Sequence, residues 1–236
     1  MGGKTLVASG VEIANGGASL TLGDASGDGT LTAASNVLYL ANANAAGGAA
    51  LTVNASVANN GGTAALVSKA GPGDVVLAGP LSHSGGTVIG EGKLTLYAPA
   101  GTLRELPATV ISGNGALATA GAGTLVFTNV ANTYAGTTTV AQGTARIYNS
   151  AAFGGTAAPT VVRDGGAIDF WGIGNQSINL NAEELYAEGT GPDGLGALRN
   201  TGSFSQYSAI RLLTLTDDLG IRSEERRVGK ECRSRW

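Results

Sequence analysis

The chain repeats itself at long range. Gly71-Pro72-Gly73-Asp74-Val75-Val76-Leu77 lines up with Gly121-Ala122-Gly123-Thr124-Leu125-Val126-Phe127 at an offset of 50, and the run His83 to Ile89 lines up with Tyr134 to Val140 at 51. Gly92 to Leu96 then meets Gly143 to Ile147 at the same offset, so one residue has been inserted near the first turn. The second copy reads as strand, Asn/Gly turn, strand, Gly turn, strand, with apolar residues at alternate positions in each run. A glycine-rich unit that recurs at this distance points to a repeat architecture, in which each copy buries its apolar face against its neighbours.

The rest of the chain has the same texture. Val11, Ile13, Leu20, Leu22, Leu31, Val37, Tyr39, Leu51 and Val53 fall in short alternating runs separated by Asn-Gly, Gly-Asp or Ala-Gly-Gly. Glycine inside a strand costs about 0.5–1 kcal/mol relative to alanine, so the 39 glycines belong in turns, and the strands between them are many and short. Turns of three to eight residues between four-residue strands suit a coil wound round an axis, with rungs stacked about 4.8 Å apart. At roughly 20–25 residues per rung the 50-residue period is two rungs. An antiparallel sandwich shares the strand spacing, and the long repeat favours the coil over it.

The unit at 121–147 resembles the autotransporter-associated β-strand repeat of bacterial passenger regions. Gly121-Ala122-Gly123-Thr124-Leu125, then Asn132-Thr133-Tyr134 with Gly136 and Val140, then Gly143 with Ile147, stand in that family's frame. In the upstream copy His83 replaces the aromatic residue and Asp74 the threonine. Gly196-Ala197-Leu198-Arg199-Asn200, followed by Leu213 to Asp217, resembles another segment of the same passengers. The resemblance implies an all-β, right-handed parallel β-helix, cut from a longer passenger, with a structural role outside the cell and an outer-membrane anchor in a missing C-terminal region. The chain then divides into N-terminal rungs (1–66), a first repeat (67–98), a connecting loop and strand (99–116), a second repeat (117–148) and further rungs (149–221).

Residues 222–236 form a separate tail. They resemble the in-frame translation of a sequencing adapter and carry 6 of the 14 basic residues and the single cysteine, Cys232. Setting them aside as a scar leaves 8 basic against 14 acidic residues, and the net charge moves from −3 to −6. That balance disfavours a nucleic-acid partner, and a cysteine-free chain has no disulfide and no thiolate metal site. The N-terminus has no signal-peptide pattern, and no apolar run reaches membrane-spanning length, so this segment is expected to make no membrane contact.

Few residues suggest chemistry. Asp24 to Gly29 opens like a calcium loop, but Ser35 stands where a bidentate acid is needed, which leaves an Asx-rich turn. Arg163, Asp164, Asp169, Phe170 and Trp171 are the one local gathering; Asp169 is expected to point outward, and with Trp171 it could contact a sugar. The sole histidine, His83, aligns with Tyr134 and is expected to pack a turn. Thr137, Thr138 and Thr139 read as an outward hydroxyl ladder. Pro99 and Pro107 bracket a loop carrying Arg104 and Glu105, read as an outward excursion. Residues 181–189 read as strand over a two-turn helix capped by Asn181. No catalytic, cofactor or metal residue is assigned. The expected role is a stalk presenting an adhesive or effector region to glycans or surface proteins, with a carbohydrate-binding module and a polysaccharide-degrading β-helix enzyme as alternatives.

Overall fold

The computed structural model describes residues 1–128, 130–172, 177–180 and 182–223. All of its strands pair in parallel, and no helix occurs among the described residues. One turn of the coil shows the plan. Val37–Asn42 lies on a first face, Leu51–Val53 on a second and Ser56–Ala58 on a third, before Leu66–Ala70 returns to the first. The second face runs unbroken through nine strands. Its partner residues are Leu20, Leu51, Val75, Leu94, Leu117, Thr138, Thr160, Leu185 and Leu213. The shortest rung is the step from Val75 to Leu94 and the longest that from Leu20 to Leu51.

Inward positions fill the axis with aliphatic side chains. Leu51, Val75, Leu94 and Leu117 form one fully buried column, and Leu125, Ala145, Ile168 and Leu198 another. Each buried leucine, isoleucine or valine contributes on the order of 1.5–3 kcal/mol. Alternation of period two sets this pattern, since a one-residue slip would turn every apolar side chain to solvent.

The 50-residue repeat is more than two rungs. Val75–Leu77 is on the second face, whereas its counterpart Leu125–Phe127 is on the third; Thr87–Ile89 is on the first face and Thr138–Val140 on the second. Two local rungs take the chain from Val75 to Leu117, and the remaining residues carry it round one further face. The repeated sequence specifies a strand, a corner and a strand, and it fits both the corner from the first face to the second and that from the second to the third. Gly71 and Gly121 share a left-handed conformation, with φ of 77° and 79°, and at each a Cβ would run into the carbonyl of the rung below, that of Asn42 or Ala98.

The third face is interrupted. Leu81 still bridges to Val57, but the ladder resumes only at Leu103–Glu105, which pairs with Thr124–Val126. The 99–107 segment is therefore no outward excursion at its centre. Arg104 takes the register of inward Leu125, and its guanidinium donates to the carbonyls of Leu77, Gly79 and Tyr97, tying together two rungs that have lost their ladder. Burial alone pulls this guanidinium down to about 10, so it stays charged. Beside it lies a cleft of about 400 Å³ walled by Pro80, Leu81, Pro99 and Leu103. Arg222 and Ser223, assigned by sequence to the non-native tail, continue the third face by pairing with Arg199 and Asn200; residues 224–236 lie outside the described residues.

Candidate functional site

The strand Gly166–Phe170 carries Asp169 on the outer side of the third face, in register with Arg146 on one side and Arg199 on the other. The outward direction agrees with alternation, because Ile168 and Phe170 are buried in the core. Its surroundings were not legible in the sequence. Asp169 is 1% exposed. One carboxylate oxygen accepts from the Thr201 backbone N–H at 2.9 Å, and the other from Arg146 Nε at 2.9 Å and the Thr201 hydroxyl at 2.7 Å. The Arg146 guanidinium lies 3.9 Å over the ring of Trp171. Arg199 extends the cluster, donating to both oxygens of Asp193 at 2.7 Å and to the Thr144 hydroxyl at 2.6 Å. Arg163 is drawn away from this group to Glu188, 3.7 Å distant.

Asp169 and Trp171 thus stand together, but Asp169 has no free lone-pair edge towards solvent, and one face of the indole is covered by Arg146. The arrangement fastens rungs: it joins the strands carrying residues 146, 169 and 199 and anchors the loop at Thr201. Sequence separation hid it, since Arg146 and Thr201 lie 23 and 32 residues from Asp169 and meet it only because the coil stacks them.

A second polar device follows the repeat. Tyr134 is fully buried, its hydroxyl 2.6 Å from Thr138 Oγ1. In the upstream copy His83 is 1% exposed, with Nε2 3.0 Å from Thr87 Oγ1. The turn-packing role expected of His83 is what this geometry provides. Thr138 departs from the expected outward ladder: it faces inward and also donates to the Phe153 carbonyl at 3.2 Å. Further along the axis the Thr160 hydroxyl donates to buried Glu183 at 2.7 Å, and burial pushes the Glu183 carboxyl up. Residues 184–189 form the expected strand; Asn181, the cap of the rival helix, lies outside the described residues.

Burial pulls the His83 imidazole down to about 4 from its ordinary 6.5. The folded chain refuses a proton that the unfolded chain accepts below 6.5, so stability is full above that pH and falls as pH drops from 6.5 towards 4. The loss should reach about 2–3 kcal/mol. Urea titrations at pH 7 and 4.5 on the parent and on His83→Tyr measure it. The variant, which installs the residue of the second copy, should lose that part of the slope. Glu183 acts in the opposite sense, its raised pKa adding stability as pH falls, and cancels in the comparison because both proteins keep it.

Two more cations and acids settle structural roles. Lys69 is fully buried and donates to the carbonyls of Ala70, Gly71 and Glu91 at the first corner; burial pulls it down to about 8 against the pull of Asp74 and Glu91. In the Asp24–Gly29 loop, Asp28 accepts from the Met1 amino group and from the backbone N–H groups of Gly2 and Asp24, which holds its carboxyl well below the usual range and makes the loop a turn. Among the described residues no three His, Cys, Asp or Glu side chains gather as a metal site.

A match to a known family falls on the repeated stretches. Residues 67–96 and 117–144 match the family model of the passenger-associated-transport-repeat. The chain is 32% identical over 140 residues to the adhesin BmaC autotransporter of Brucella suis biovar 1 (strain 1330), an alignment covering 55% of this chain and 4% of that protein. No solved structure matches. Two stretches that match the passenger repeat, stacked into one parallel solenoid, together with the likeness to an autotransporter adhesin, support reading this chain as one that carries autotransporter passenger repeats.

Proposed function

We propose that the chain is a stalk segment of a secreted, surface-displayed passenger, holding a distal adhesive or effector region away from the cell, and that it is not an enzyme. The observation that carries this reading is the unbroken nine-stranded second face. Nine rungs at about 4.8 Å give a shaft of roughly 40 Å whose length is set by stacked hydrogen bonds. The charged clusters fit the same purpose, because Asp169, Lys69 and Arg104 each bond to a neighbouring rung. Anchoring in the outer membrane would come from elsewhere in a longer protein. The relative's description as an adhesin supports a second reading, in which this segment itself binds a glycan or a host surface protein. Purified chain applied to immobilised glycans and matrix proteins separates the two. The stalk reading expects no saturable binding at micromolar concentrations, and saturable binding there would transfer the assignment to the adhesive reading.

A further inference from the structure

The break in the ladder of the third face leaves main-chain groups unpaired on both of its walls. On the lower wall the Val57 N–H donates to the Pro80 carbonyl and the Ser82 N–H to the Val57 carbonyl, each at 2.8 Å. In a parallel ladder successive residues turn their N–H and C=O to opposite sides. Leu81, between Pro80 and Ser82, therefore turns its own pair away from Val57 and into the cleft. On the upper wall the Thr124 N–H donates to the Thr102 carbonyl at 2.8 Å and the Leu106 N–H to the Val126 carbonyl at 3.0 Å. The same alternation turns the N–H and C=O of Leu103 and of Glu105 down into the cleft. Leu103–Glu105 is the end strand of its six-stranded sheet, and Leu81 joins the coil below through a single bridge, so no strand covers either set. The exposed side chains of Leu103 and Glu105 stand at the rim, with Pro80, Leu81 and Pro99 lining the same cleft.

We propose that the cleft is a peptide site, where an extended segment of a partner protein joins the third face as an added strand. The unpaired groups choose the occupant. Only an extended main chain offers N–H and C=O at the spacing of a strand, and open edges of this kind recruit one. Run parallel, in the sense of the coil's own ladders, a guest residue opposite Arg104 gives its N–H to the Leu103 carbonyl and receives the Glu105 N–H. Its side chain points inward, where the Arg104 guanidinium already bridges the carbonyls of Leu77, Gly79 and Tyr97, so that residue is alanine or glycine. The guest residue before it lies beside Leu103 and is apolar; the one after it lies beside the Glu105 carboxylate and is basic. Three residues span about 10 Å, and so small a contact holds weakly, with Kd on the order of 0.1–1 mM. Such binding sits above the micromolar range that tests the stalk reading, so either proposal can fail without the other.

Nuclear magnetic resonance titration of the whole chain with the capped peptide Thr-Val-Ala-Lys-Thr tests this. Shifts should saturate on that scale and centre on the amides of Leu103 and Glu105. Replacing the peptide's alanine by proline removes the N–H that the Leu103 carbonyl accepts, and should weaken binding roughly tenfold. The reversed peptide, Thr-Lys-Ala-Val-Thr, should also bind more weakly, and equal binding would sink the parallel arrangement. On the protein, Glu105→Pro removes an N–H that no ladder uses, a change that an edge strand tolerates. Binding should again fall roughly tenfold while circular dichroism stays that of the parent; should the variant misfold, the peptide pair carries the test. A titration with no saturation up to about 5 mM overturns the proposal, as does equal binding of the alanine and proline peptides or undiminished binding to folded Glu105→Pro. So does hydrogen exchange that finds the Leu103 and Glu105 amides of the free chain as protected as those of Thr124–Phe127, since the two walls would then already pair with each other.

Discussion

Asp169→Ala should cost about 3–5 kcal/mol of stability, the range for removing one partner of a buried ion pair. The substitution strips the acceptor from Arg146 Nε and from both Thr201 donors, leaving a half-buried guanidinium beside a loop with no anchor. Trp171→Ala should cost less, about 1–2 kcal/mol, since it removes a stacking contact with Arg146 and leaves the carboxylate cluster intact. The double variant Asp169→Ala/Arg146→Met should lose less than the sum of its single variants, because removing both charges avoids stranding either. Urea unfolding of the four proteins measures all of this. A carboxylate held for a ligand would behave differently: Asp169→Ala would leave stability within about 0.5 kcal/mol of the parent, and that result would defeat the rung-fastening role.

The contrast between Asp169 and the repeat shows where sequence reasoning reaches. Strand positions and inward residues were legible because period-two alternation and glycine corners are local: Gly71 and Gly121, or Gly92 and Gly143, announce the same backbone bend wherever it falls. The face on which a strand lands was not legible. It depends on the running total of turn lengths, which is why a 50-residue repeat passes for two whole rungs when it goes one face further. Cross-rung partners were equally hidden. Lys69, Arg104 and Asp169 each reach a group on another rung, for Lys69 the carbonyl of Glu91, and the sequence beside them does not mark that partner. His83 was the exception, because its alignment with Tyr134 transferred a geometry from one copy to the other.

Leu117→Ala should cost about 2–5 kcal/mol, the range for emptying a leucine-sized space in a closed core. Leu117 is fully buried, between Leu94 in the rung below and Thr138 in the rung above, and neither neighbour can close the gap without leaving its own ladder. In a solenoid each rung touches only its neighbours, so the loss should be confined along the axis. Amide hydrogen exchange is the measurement, read strand by strand. Protection should fall for Leu94–Leu96 and Thr138–Val140, while Leu51–Val53 and Glu184–Gly189 keep that of the parent. An equal fall in all nine strands would mean that the shaft opens as one unit and that rung-by-rung stacking does not carry its stability. Such confinement would suit the stalk role proposed above, because damage to one rung would leave the stacking of distant rungs intact.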